Sequence, residues 1–583
     1  MRTLTITFLS CLLAACSADS PSPESSASES SASESRAPEA PSPEYDLVIA
    51  NGLFYDGSGE APREVDIAVN GDRVEALLPR GEEVSAELVI DADGQAVAPG
   101  FINVLSWATE SLIEDGRGLS DTHQGVTLEM FGEGWSMGPL NDTMKARALE
   151  RQTHIQFPIE WETLGGYLEF LEQRGVTPNV ASFIGATTVR IHELGEGDVQ
   201  PSDEQLENMQ ELVREAMREG ALGVGSSLIY PPAFYAETDE LIALAQAAAE
   251  FGGGYITHMR SEADGIYEAL DETITIGRAT GQRAEVYHLK AAGERNWPKM
   301  AGAIERIEQA RAEGVNIGAN MYAYTAGATG LTAALPPWAS DGGFDALTER
   351  LRDPETRQRI VEEMQAPAEG WENLLELAGS AERVVLIGFS NEELKPLTGK
   401  TLAEVAEMRG KSPEETAIDL ILEENRRVGT AYFLMSEENV ELGLSQPWIA
   451  LGSDAESAAP EGVFLETSTH PRAYGNFARF LGHYVREREL VSLSEAIRRL
   501  TRMPAETWQL ENRGCLDPGC YADIVVFDPD TITDHATFAE PQQLATGVDH
   551  VFVNGVQVLN EGEHTGATPG RVVRGPGYEG GEQ

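Results

Sequence analysis

Four residues of this 583-residue chain combine a reactive type with a telling place: Glu133, His258, His288 and Asp454. Each follows an apolar run, and polar residues at strand ends are where α/β folds build active sites. Together they offer a carboxylate and two imidazoles, with a second carboxylate from a fourth strand end. One anionic oxygen and two borderline nitrogens match the ligand set of several catalytic zinc centres that keep one position open for water. An aspartate beside such a centre is placed to act as a base. Taken singly, the residues have plainer roles. A lone histidine in a short motif is more often a hydrogen-bonded structural group, and Asp454, after Ala450-Leu-Gly-Ser, has the setting of a helix cap. The argument for shared chemistry is that the two histidines stand 30 residues apart, each directly after an apolar strand.

The elements that must position these side chains are legible in outline. Short β-rich runs, Asp46-Leu-Val-Ile-Ala, Val65-Asp-Ile-Ala-Val and Leu88-Val-Ile-Asp, alternate with turn signals such as Asn51-Gly52 and Asn70-Gly71. The texture returns in Ala522-Asp-Ile-Val-Val-Phe and Val551-Phe-Val-Asn-Gly-Val, so the two ends, 45–98 and 509–574, are expected to build one small β-sandwich. Between them, in 99–508, apolar strands alternate with helical patterns such as Asp203 to Glu219 and Thr238 to Phe251. That alternation implies an α/β fold with a parallel, TIM-like (β/α)8 barrel. The segment 342–427 interrupts it with acidic helices and reads as an insertion, either a lid or a solvated decoration. Residues 575–583 read as a tail.

Composition excludes one class of function. With 42 Lys+Arg against 96 Asp+Glu the net charge is −54, which repels nucleic acid and anionic lipid, and no basic run reverses the field locally. Residues 1–16 place Arg2 before an apolar stretch ending Leu13-Ala-Ala-Cys16, the layout of a secretory signal that is too short to span a bilayer. The ending resembles a bacterial lipobox, which makes Cys16 the candidate lipid anchor and, with Ser17 next, implies an outer-membrane lipoprotein facing the periplasm. Membrane contact is expected only through that anchor. The Ser, Pro, Ala and Glu of 17–44 cannot bury enough surface to order, and read as a tether. Cys515 and Cys520 are either a disulfide-closed turn, as an exported chain permits, or a reduced pair.

Longer motifs carry a resemblance. Val97-Ala-Pro-Gly-Phe-Ile-Asn-Val-Leu-Ser-Trp107 is similar to the first-strand motif of the amidohydrolase superfamily. Further stretches resemble its N-acyl-D-amino-acid deacylase branch: Gly220-Ala-Leu-Gly-Val-Gly-Ser-Ser-Leu, Tyr255-Ile-Thr-His-Met-Arg-Ser-Glu262, Tyr287-His-Leu-Lys-Ala-Ala-Gly293, and Leu451-Gly-Ser-Asp454 with His470-Pro-Arg-Ala-Tyr474. The chain departs from that pattern in three places. The first-strand His-x-His is replaced by Leu105-Ser106-Trp107, neither end of which can ligate a metal. Glu133, in Phe131-Gly-Glu-Gly134, takes the place of the branch's cysteine ligand, and Ala186 that of a histidine whose role His192 is a candidate to fill.

The resemblance implies an enzyme that hydrolyses a non-peptide amide, with one divalent metal, zinc, on Glu133, His258 and His288, and Asp454 as general base. Its implied partner is a small N-acyl amino acid, whose carboxylate Lys290, Tyr322 and Arg472 are candidates to grip. The D-configuration is implied by the resemblance alone. Arg472 has an equal structural reading, holding the last strand. Lys290 has the alternative of packing its stem with the ammonium in water, and Tyr322, Tyr324 and His470 that of core residues. Leu105 and Trp107 are expected to reshape the pocket for a bulkier, more apolar substrate, so another cyclic amide or dipeptide-like compound is a second reading. A catalytically inactive binding protein is the rival from another class.

Overall fold

The β-rich runs form strands where the turn signals place them. In the computed structural model, which describes residues 43–580, Val65–Asn70 and Arg73–Pro79 pair antiparallel across Asn70-Gly71. Tyr45–Ala50 lies between Val65–Asn70 and Ala86–Asp91, completing a four-stranded sheet. A six-stranded sheet mixes both ends of the chain: Leu53–Phe54 and Ala96–Pro99 join Ile524–Phe527, Val548–Val553, Val556–Asn560 and Glu563–His564. Leu47, Ile67 and Val97 share one hydrophobic cluster with Ile524, Val526 and Phe552, so the two ends exclude water together. Cys515 and Cys520 are joined by a disulfide. Cys16 and the linker up to residue 42 lie outside the described residues.

Two parallel sheets occupy the middle of the chain. Phe101–Asn103, Val126–Phe131 and Asn179–Ser182 make one. Ile184–Gly185, Gly223–Ser227, Gly254–His258, Ala284–Val286, Ile317–Met321 and Ile449–Leu451 make the other, in that spatial order. Phe183 N donates to Phe131 O and Leu222 N to Ser182 O, both at 2.9 Å, linking the sheets at one edge. Val104 N donates to Leu451 O at 3.3 Å, and a parallel bridge joins Ser106 to Ala455, linking them at the other. Helices fill the crossovers, as right-handed parallel connections require. Asp203–Arg218 starts in a capping box of Ser202 and Gln205 and buries Met209, Val213 and Met217 on one face.

The insertion at 342–427 is not wholly helical. Alongside Gly343–Arg352, Pro354–Gln365 and Pro413–Glu424 it contains the strand Val384–Gly388, antiparallel to Gly429–Phe433, which in turn pairs with Ala326–Gly330. Its Leu351, Ile360 and Ile418 belong to the same hydrophobic cluster as Ile317 and Leu451, so it is not a solvated decoration. The segment read as a tail is held at its start, where Gly575 N donates to Gly220 O at 2.8 Å. Among the described residues no helix is long and apolar enough to cross a membrane.

Candidate active site

The four residues singled out in the sequence lie at or just past the C-terminal ends of parallel strands. Glu133 follows Val126–Phe131, His258 closes Gly254–His258, His288 follows Ala284–Val286, and Asp454 follows Ile449–Leu451. Local backbone explains why each points as it does. Glu133 sits between Gly132 (φ 108°) and Gly134 (φ 73°), two glycines in a conformation that residues with side chains rarely adopt. A Cβ at Gly132 would meet Phe183 O at 2.4 Å and one at Gly134 would meet Ser227 Oγ at 2.1 Å, so the turn needs both glycines. His288 (φ 33°) and Asp454 (φ 50°) occupy the left-handed region without being glycine. The surroundings hold them there: His288 N donates to Asn320 Oδ1 at 2.8 Å and Asp454 N to Leu105 O at 2.9 Å.

The side chains converge. Glu133 Oε1 accepts from His258 Nδ1 at 3.0 Å and from His288 Nε2 at 2.7 Å. All three residues are buried, and one ligand atom of each lies within 4.8 Å of the others. One carboxylate oxygen and two imidazole nitrogens gathered at a point fit a borderline divalent cation such as zinc. The remaining ring nitrogens face Glu262: His288 Nδ1 lies 2.9 Å from Oε1, the outer support that ligating histidines commonly have, and His258 Nε2 lies 3.5 Å from Oε2 without a hydrogen bond. Lys290 Nζ reaches Glu262 Oε1 at 2.6 Å and His288 Nδ1 at 2.8 Å.

Electrostatics follow from this crowding. Burial and the Lys290 charge push His288 down, but Glu262 and Glu133 more than offset them and lift its pKa to about 9. Burial raises Glu133 and Glu262, yet the neighbouring histidines, and Lys290 beside Glu262, hold both well below the usual carboxylate range. Asp454 remains above its ordinary value, because burial outweighs the Arg472 guanidinium 2.8 Å from its Oδ2.

The insertion reaches this network through Glu372. Its Oε1 accepts from Ser261 Oγ and Glu262 N at 2.7 Å and from Ala263 N at 2.8 Å, fixing the turn that presents Glu262. Its Oε2 is shut off from solvent without a partner. Burial and the Glu262 charge push Glu372 up to about 7, against the hydrogen bonds from Ser261 and the backbone. An unfolded glutamate titrates near about 4.3, so the folded chain holds the extra proton between these values and loses stability as pH rises through that window. Glu372→Gln is therefore expected to flatten this part of the curve of melting temperature against pH. Thermal denaturation from about pH 5 to about pH 8 checks it, and a slope equal to wild type would assign the titration elsewhere.

Of the candidate substrate residues, Arg472 and Tyr322 lie beside the cluster with unpartnered atoms. The Arg472 guanidinium stacks 4.5 Å from the Tyr322 ring, and Arg472 Nε and Nη1 and the Tyr322 hydroxyl are buried without a hydrogen bond. His470 is structural: its Nε2 bonds Ala326 O and its Nδ1 accepts from Arg472 N, both at 3.0 Å. Lys290 is also present, but its ammonium is buried against Glu262 and not in water. His192 lies on Ala186–Leu194, and its Nδ1 has no hydrogen-bond partner. Leu105, expected to shape the pocket, is instead 1% exposed in a cluster with Met130, Phe183 and Tyr287, in the bend that follows Phe101–Asn103. Trp107 is 36% exposed, and the expectation of a purely apolar role fails for it: Nε1 donates to Glu133 Oε2 at 3.0 Å and to Asp454 Oδ1 at 3.1 Å. Sequence reasoning assigned no role to Glu262, although its place four residues after His258 was a signal.

Comparison with known proteins identifies the family. Residues 88–559 match the amidohydrolase family. D-aminoacylase from Alcaligenes xylosoxydans xylosoxydans is 31% identical over 533 residues, covering 91% of this chain and 97% of that protein. N-acyl-D-aspartate deacylase from the same organism is 32% identical over 534 residues, covering 91% and 95%. The crystal structure of N-acyl-D-glutamate deacylase from Bordetella bronchiseptica, complexed with zinc and a phosphonate mimic of the tetrahedral intermediate, superposes with a TM-score of 0.75 at 29% identity, covering 91% of this chain and 99% of that one. The chain belongs to the amidohydrolase family on its D-aminoacylase-like side, and is a hydrolase of carbon–nitrogen bonds other than peptide bonds.

Proposed function

We propose that this protein is a one-metal N-acyl-D-amino-acid deacylase. The observation that carries the reading is the meeting of Glu133, His258 and His288 at one buried point, with Asp454 tied to Glu133 through Trp107. The D-configuration is supported by the names of the relatives, which act on N-acyl-D-amino acids. Glu133, His258 and His288 hold the cation, which we take to be zinc. When bound, it supplies Lewis-acid polarisation of the amide carbonyl and acidifies water. Asp454 takes a proton at its carboxylate from the attacking water as the water oxygen bonds to the acyl carbon, and passes that proton to the departing amine as the carbon–nitrogen bond breaks. Arg472 and the Tyr322 hydroxyl offer their free donors to the substrate carboxylate, and Lys290 adds positive charge 5.8 Å from the Tyr322 ring.

The same reading closes the two parallel sheets into a (β/α)8 barrel within 99–508, supported by the links at both edges. It joins 45–98 and 509–574 in a sandwich, supported by their shared sheet and cluster. An outer-membrane lipoprotein anchored at Cys16 and facing the periplasm is in keeping with the Cys515–Cys520 bond, which suits an exported chain. The test of substrate is a comparison of N-acetyl-D-amino acids with their L-enantiomers and with D-compounds amidated at the carboxyl. The D-acids are expected to exceed both by about 100-fold in kcat/KM. Arg472→Met should raise KM for the acids and leave that for the amidated compounds unchanged. Preference for the L-enantiomer or for the carboxyl-free compound would overturn the assignment.

A further inference from the structure

Trp107 is the one donor that touches both Glu133 and Asp454 among the described hydrogen bonds. Its Nε1 lies 3.0 Å from Glu133 Oε2 and 3.1 Å from Asp454 Oδ1. Those two carboxylates repel, and the position between an oxygen of each is a place that a cation would take. An indole N–H is a donor only, neutral and fixed to a rigid ring. It satisfies both oxygens there while the ring fills the space. The two oxygens of Glu133 are thereby sorted: Oε1 faces both imidazoles, and Oε2 faces the indole. Asp454 is held at both ends as well, by the indole at Oδ1 and by Arg472 at Oδ2, 2.8 Å away.

We propose that Trp107 is a positioning residue whose indole N–H stands in for a second cation, keeping Glu133 a one-oxygen ligand and aiming the Asp454 carboxylate at the reacting centre. The inference rests on the one-metal reading above. It gives a reason for a half-exposed ring at the end of the first parallel strand: the ring shuts a position that two carboxylates would otherwise offer to an ion. Specificity for one metal per chain then comes from a side chain that is not itself a ligand.

Cobalt reports both parts of the claim, because its visible absorption weakens as coordination number rises. The full chain is loaded with Co²⁺, dialysed and measured for metal content, spectrum, kcat and KM, as wild type, Trp107→Phe and Trp107→His. Wild type is expected to hold one ion. Trp107→Phe keeps an aromatic ring there, a smaller one, and loses the N–H. It should hold one ion with a weaker band, because Glu133 Oε2 is released, and should lose about 10- to 100-fold in kcat with KM little changed. Trp107→His places an imidazole beside the two carboxylates and should take up a second ion. A Trp107→Phe spectrum and kcat equal to wild type would overturn the proposal, as would a lower kcat with an unaltered spectrum, which marks a merely structural role. A single ion in Trp107→His would overturn the stand-in for a cation. Two ions in wild type would overturn the proposal and the one-metal count together, whereas no ion in wild type would overturn the metal site on which both rest. Melting temperatures within a few degrees of each other confirm that folded proteins are compared.

Discussion

Asp454→Asn is expected to lower kcat about 1,000-fold while leaving metal content and melting temperature close to wild type. The carboxylate has two duties in the proposed reaction, accepting a proton early and returning it to the amine, and general acid–base groups contribute about 10²–10⁴-fold each. Asparagine keeps the shape and one oxygen for a hydrogen bond, but it cannot hold the proton. The sign of the pH dependence follows from the site. Burial raises the pKa of Asp454 despite Arg472, and the repulsion of Glu133 adds to the rise. The base works only when deprotonated, so kcat/KM should climb with pH along the limb on which Asp454 loses its proton. Activity is lost as pH falls through it. Steady-state kinetics across pH, with metal analysis of the same samples, checks this. Retention of most of the activity in Asp454→Asn would remove it from the chemistry.

The second large effect is loss of the metal site. Glu133→Ala, His258→Ala and His288→Ala are each expected to lose the bound cation on dialysis and to fall to background activity. Metal catalysis contributes several kcal/mol of transition-state stabilisation, which no neighbouring group replaces. Glu133→Ala should be the most damaging to the fold as well. Its Oε1 takes both imidazoles, so removing it leaves two buried ring nitrogens without that acceptor. Uptake of metal should also release protons. In the metal-free protein Glu262 and Glu133, against burial and Lys290, keep His288 protonated up to about pH 9, so the cation competes with a proton and its affinity should rise with pH up to that point. Titration calorimetry in two buffers of different ionisation enthalpy measures the released protons. Metal content unchanged in all three variants would place the ion elsewhere.

Much of the site was legible without the fold. Strand ends can be read from apolar runs and turn residues, and residue type limits what each end can do. The helices Asp203–Arg218 and Thr238–Ala249 fall within two residues of where periodicity places them. The insertion was misjudged in part, because acidic exposed faces dominate its sequence while the strand Val384–Gly388 depends on partners outside it.

By itself the sequence determined that two histidines, a glutamate and an aspartate stand at the ends of parallel strands. These are consequences of residue type and short-range periodicity, which the chain carries locally. Only the tertiary structure decided how they are used. Trp107 meets Asp454 across 347 positions and Glu133 across 26. Glu262 rather than solvent receives the Lys290 ammonium, and Glu372 reaches over from the insertion to hold the turn of Glu262. Hydrogen bonds of this kind depend on directions fixed to within a few tens of degrees between residues distant in the chain. No local pattern encodes them, because the partner is chosen only when the strands pack and the side chains lose water together.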